Sequence, residues 1–250
     1  MTTLTQPENT YWHFLPQSRR LQYGDGREVV AGKTLRVEGT PVLDEHGLHA
    51  SARPLDALIL GPSPIACLVT LGGEVVHDAD LSAGQERTCL WMIDATHLLR
   101  EFAAGVAEIA LLRERGAGRE PDPRSWAAIE VTRRFLRGET SEAERVAAWT
   151  AAHAAACDTD RAFNISAAST AAYAAAYAAG WAANSAANIA ADTAANIAAW
   201  VAAWVMKSAS SWSAATASDW DDASAPYNVR LTQMLLAARQ AQAGQKRDNE

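Results

Sequence analysis

The sequence predicts an α+β protein: a small twisted N-terminal β-sheet domain with covering helices, followed by an alanine-rich α-helical array. Three observations carry this. Short β-branched and apolar runs separated by glycine, proline and aspartate fill the chain up to Asp94. Apolar residues at helical spacing follow. The composition then turns abruptly to alanine, the strongest helix former, near residue 140. The domains expected from this shift are 1–140, 141–243 and a frayed tail at 244–250.

YWHFL (11–15) reads as a strand, and LQYGDGREVV as a hairpin whose Asp25-Gly26 pair supplies the positive φ of a tight turn. KTLRVEG (33–39) alternates with period two and leads through Pro41 into VLDEHGLHAS. RPLDAL suits a short helix with Ser51 as N-cap and Pro54 in its first turn. IACLVTLGGEVV (65–76) and RTCLWMI (87–93) are the strongest strand candidates. With Asp94 as cap, Leu98, Phe102, Val106, Ile109 and Leu112 define an amphipathic helix over 95–114. Another helix starts at Pro123 behind Asp122 and stops at Gly138.

Ser141 and Glu144 form a capping box before RVAAWTAAHAAA, after which CDTDRAFN is expected to interrupt the helix. The following low-complexity run places Tyr173, Tyr177, Trp181, Ile189, Ile197, Trp200 and Trp204 mostly four or eight residues apart. A helix turns every 3.6 residues, so that stripe drifts round the axis and calls for partners on several sides, which points to self-association. Asn184, Asn188, Asp192 and Asn196 break the run, and its purely apolar part is too short to span a membrane. SSWSAATASDWDDASAP reads as an acidic loop before a last amphipathic helix, YNVRLTQMLLAARQAQ.

The bulk numbers narrow the function classes. Lys plus Arg number 22 and Asp plus Glu 29, a formal charge of −7, with the basic residues scattered. Such a chain repels phosphate backbones, so no nucleic-acid partner is expected. Cys67, Cys89 and Cys157 are far apart and odd in number, which excludes a disulfide framework or a CxxC metal site. MTTLTQPENT has neither a positive nor an apolar signal region, so a cytoplasmic location is expected.

GREVVAGKT imitates a phosphate loop but has five residues where the motif needs four, and a strand-like segment follows it. His46 and His49, with Asp44 and Glu45 beside them, lack the fixed third ligand that zinc needs, so no metal is expected. Neither HDADLSAGQER nor DWDD fits a calcium loop. Trp149 and His153, four apart, read as packing. There remain His13 in a strand-like run, His49 and Ser51 at period-two spacing, and Glu86 at the start of another strand. These four are the candidate catalytic residues, because such groups on neighbouring strands can grip a nucleotide and polarise its ribose. Against that stands the plainer expectation that the histidines serve turns and core and Ser51 a helix cap.

YWHFLPQSRRLQYGDGREVVAGKTLRVEG, DEHGLHASARPLDAL and QERTCLWMIDAT resemble the N-terminal domain of an uncharacterised bacteriophage and prophage family. In that family a GLHAS-x-x-PLD signature precedes a low-complexity, often alanine-rich region. Asp44 stands where relatives often have cysteine, so that cysteine is not an essential ligand here. More distantly, the order His13, His49-x-Ser51 and Glu86 is similar to the three-strand motif of ADP-ribosyltransferase-like domains. The first resemblance implies a phage-encoded interaction protein in the host cytosol that acts in host takeover or counter-defence. It would need no cofactor, and its partners would be itself, a host protein or a nucleotide-like ligand. The second implies an enzyme that transfers ADP-ribose or cleaves NAD, with Glu86 stabilising the oxocarbenium-like transition state. A virion structural part is the third expectation.

Overall fold

The structure is a computed structural model, and it describes residues 4–22, 24–163, 167–179 and 217–247. Among these residues it is an α+β protein with five strands in one antiparallel sheet and six helices. Backbone contacts divide the chain into two compact units, 1–96 with 228–250, and 97–227. The compositional step near residue 140 falls inside the second.

The first unit is built on a long hairpin, β4 (Ile65–His77) and β5 (Ser82–Asp94), joined by a turn in which the Asp78 N–H donates to the Leu81 carbonyl at 2.8 Å. The acidic segment 77–87, expected as a loop, is therefore mostly strand. β1 (Tyr11–Leu15) pairs with β4, while β2 (Thr34–Arg36) and β3 (Leu48–Ala50) line successive parts of the free edge of β5. Register shifts at Leu68/Val69 and Gly72/Val75 curl the hairpin. The curl lets Ser51, directly after β3, reach β1 and exchange both backbone hydrogen bonds with Trp12 at 2.7 and 2.9 Å. The path β1–β4–β5–β3 thus closes into a small barrel. The segment expected as a hairpin at 21–30 turns back antiparallel with Gly26 at φ 67°, without forming a regular strand among the described residues. It is held by the Arg20–Glu28 bridge and by the Leu21 and Val29 N–H groups, which donate to the Arg27 and Arg19 carbonyls, both at 2.9 Å.

The interior face follows from period two along each strand. Leu15, Ile65, Cys67, Val69, Cys89, Ala50 and Val29 form its buried cluster, with Leu35 and Leu71 beside them. Helix α1 (Pro54–Leu60) begins after Arg53, whose side chain makes no cap, so Ser51 is not the N-cap: its backbone is committed to Trp12. The C-terminal part of α6 (Ala217–Arg247) also belongs to this unit, its Asn228 Oδ1 accepting the Leu55 N–H at 2.9 Å.

In the second unit, α2 (Thr96–Gly116) buries Leu99, Phe102, Ala103, Val106 and Leu111. The buried face is rotated from the expected one, leaving Leu112 half exposed at 50 %. Four alanines, Ala103, Ala104, Ala107 and Ala110, share that buried face and carry no signal in a stripe of large residues. α3 (Pro123–Leu136) starts at Asp122, whose carboxylate accepts the Arg124 N–H at 2.8 Å. Arg133 on α3 pairs with Glu108 at 2.7 Å and Glu101 at 3.4 Å on α2. The capping box forms as expected: Ser141 Oγ accepts the Glu144 N–H, and Glu144 accepts the Ser141 N–H at 2.8 Å.

α4 (Glu142–Phe163) runs straight through the CDTDRAF segment that was expected to interrupt it. It packs with α3 and with α5 (Ala167–Ala179) around Ala128, Ala152 and Ala176. Small side chains let these helix backbones approach closely. The segment expected as an acidic loop after residue 216 is the first part of α6, with Pro226 inside the helix, and α6 continues to Arg247 where a frayed tail was expected. The rest of the aromatic stripe, from Trp181 to Trp204, lies outside the described residues. No helix among those described is long and apolar enough to cross a membrane.

Candidate binding site

Arg87 is the residue around which the first unit's interior is organised. Leu71 faces it on β4 and Leu35 on β2, and Cys89 follows two residues on, so its side chain enters the apolar face of the barrel. The residue is 4 % exposed. Its Nη1 donates to the His49 carbonyl at 2.5 Å, while Nη2 is buried without a hydrogen-bond partner. Among the described residues no carboxylate pairs with it. Asp25 acts on it only at a distance and is itself held by Arg27 at 2.6 Å. Cys67 and Cys89 act on Arg87 more strongly than Asp25 does. Their thiols donate to the Ile65 and Trp91 carbonyls, and their mutual contact raises the proton affinity of Cys67 and lowers that of Cys89. Burial pulls the Arg87 guanidinium down to about 10, so it remains a cation at neutral pH.

A cavity of about 590 Å³ opens onto Arg87. His13, directly opposite Cys67 on the inner face of β1, lines it, as do His49 and Ser51. Burial lowers the proton affinity of His13 well below the usual imidazole, and the Arg87 and His49 charges reinforce this. His49 is lowered as well, chiefly by burial. Ser51 is 1 % exposed and its Oγ, like Arg87 Nη2, has no partner.

The turn before His49 explains the DEHGLH stretch. Asp44 takes a left-handed φ of 64°, and its N–H donates to His49 Nε2 at 3.2 Å. Gly47 sits at φ 122°, where an added Cβ would lie 3.2 Å from Ala83 and 3.3 Å from Pro41. Only glycine combines that dihedral with that approach. His49 therefore both pins a turn and walls the cavity. His46 instead donates to the Glu38 carbonyl at 2.7 Å and takes no part in a metal site with His49. Among the described residues there is no group of three or more His, Cys, Asp or Glu that could hold a metal ion.

Three of the four sequence candidates, His13, His49 and Ser51, come together at the cavity. Glu86 does not. As the neighbour of Arg87 on β5 it projects to the other face, where it meets Arg36 on β2 at 2.8 Å. That pair is largely exposed, at 70 % and 38 % for the two side chains. Glu86→Gln is expected to leave the urea unfolding midpoint essentially unchanged, as for an exposed ion pair.

The histidines also set a pH dependence. Their folded proton affinity lies below the unfolded value of 6.5. Under acid the unfolded chain therefore binds more protons, and stability falls as pH drops through about 6.5. Each histidine contributes at most about 1.4 kcal/mol per pH unit. Thermal melting of the unliganded protein from pH 7.5 to 5.5 should show this decline, and a His13→Asn variant should show a shallower one.

No family model, curated protein or solved structure matches the chain.

Proposed function

We propose that the first unit is a small-molecule binding domain that captures an oxyanion on Arg87. One observation carries this: a cationic side chain buried in a small barrel, with one nitrogen unpartnered and a cavity in front of it. Burying an unpaired ion costs several kcal/mol, and a ligand that supplies the counter-charge removes that cost. Ser51 Oγ and the His13 ring offer further polar contacts beside apolar walls. The ADP-ribosyl-transfer alternative has no geometric support, because Glu86 lies on the other face from the residues that would hold NAD.

The wider setting belongs to the same proposal: a phage-encoded interaction protein whose alanine-rich helices assemble with a second copy or a host protein in the host cytosol. It is supported by the GLHASARPLD resemblance and by the alanine-lined packing of α3, α4 and α5. Calorimetric titration with inorganic phosphate and with AMP tests the anion site. Heat of binding that saturates, together with NAD left uncleaved after prolonged incubation, is the expected result. Absence of binding by every oxyanion tried would remove the proposal, and release of nicotinamide would reinstate the enzyme.

A further inference from the structure

The walls of the cavity say more about the ligand than its charge. Away from Arg87 they include Leu15, Leu21, Val37, Leu48, Leu60 and Leu81. Leu60, the last residue of α1, lines the cavity while 45 % exposed, so a ligand there could cover it. A cavity of about 590 Å³ is far larger than a single oxyanion and falls in the ordinary range for organic ligands of about 300–1,000 Å³.

Its charges are also lopsided. Arg87 is the one buried cation among the residues lining it, whereas Asp25, Asp44 and Glu45 line it as well, Asp44 and Glu45 exposed to solvent. A ligand with a second anionic group would find no second buried cation and would meet these carboxylates. A ligand whose far end is strongly polar would leave the leucines uncovered.

We propose that the cavity takes a single-headed amphiphilic acid, one carboxylate or phosphate head on Arg87 and an aliphatic body along the leucine walls. This rests on the oxyanion reading above and narrows it to a ligand class. The head draws its binding from the unpaired guanidinium, and the body from displacing water off the apolar walls. Selectivity against diphosphates follows from the carboxylates in the lining.

Titration of the full chain with acetate, hexanoate, octanoate and decanoate, beside inorganic phosphate, AMP and NAD, tests the class. Affinity should rise about three- to fourfold per added methylene until the cavity is filled. Decanoate should bind more tightly than AMP, and NAD should bind most weakly of the three. Leu60→Ser, a change at an exposed position, should weaken decanoate several-fold and leave phosphate untouched. A flat chain-length series, or AMP or NAD binding more tightly than decanoate, would overturn the amphiphile while leaving the oxyanion site standing. Failure of phosphate, AMP and every carboxylate alike would instead overturn the oxyanion site itself.

Discussion

Replacing Arg87 with methionine is expected to make the protein more stable and to abolish anion binding. Arg87 is buried in the barrel with Leu71 and Leu35 across from it, its Nη2 unpartnered. Methionine has a similar length, no charge to desolvate and enough flexibility to fill the space. Exchanging a poorly compensated buried ion for a hydrophobe of similar volume gains about 1–4 kcal/mol in favourable cases. Here the His49 carbonyl loses its donor, which offsets about 1 kcal/mol of that gain. A net gain of up to about 3 kcal/mol, read as a higher urea midpoint with an unchanged slope, is therefore expected. A loss of several kcal/mol would mean that Arg87 is a structural residue with partners inside the folded protein. Stability that rises as binding disappears is the signature of a residue retained for its ligand.

The second large effect concerns the outer face of β1. Trp12 is fully buried, its ring meeting Trp91 edge-on with centroids 5.7 Å apart and its Nε1 donating to Gln6 Oε1 at 2.6 Å. Its backbone also closes the barrel through Ser51. Trp12→Ala leaves a cavity that the closed barrel cannot collapse to fill, with an expected cost of about 3–5 kcal/mol. Urea unfolding followed by far-UV circular dichroism measures it. A cost below about 1 kcal/mol would show that the β1–β3 closure is not part of the cooperative core.

Much of this fold was legible in the sequence for identifiable reasons. β1 is aromatic, β4 is apolar and β-branched, the second half of β5 is apolar, and Asp122 and the Ser141/Glu144 box announce helix starts. Each forms near where local chemistry placed it, β5 extending back to Ser82. What escaped depended on tertiary contacts. Ser51 looked like a helix cap because serine usually is one, yet the barrel uses its backbone to reach Trp12. CDTDRAF looked like a break, but α4 carries it as one continuous helix. Asp219 to Asp222 looked like a loop, although helical neighbours on both sides continue through them.

The site was half visible. His13, His49 and Ser51 stood out as chemistry-bearing residues on or beside strands, and they do share the cavity. Glu86 fits the enzymatic motif by its acid, yet its neighbour Arg87 on the same strand is the residue that faces inward. The clue to Arg87 was an arginine two residues before a cysteine in an apolar strand, the inward phase of the alternation. That phase was obscured by the irregular register near Leu90, and by a strand apolar on both faces.

If Arg87 awaits an anion, a crystal soaked in selenate, with the ion located by anomalous scattering, should show a peak in the barrel cavity within about 3 Å of Arg87 Nη2. A cavity without such a peak, with Nη2 bonded instead to a carbonyl or carboxylate of the protein, would contradict it.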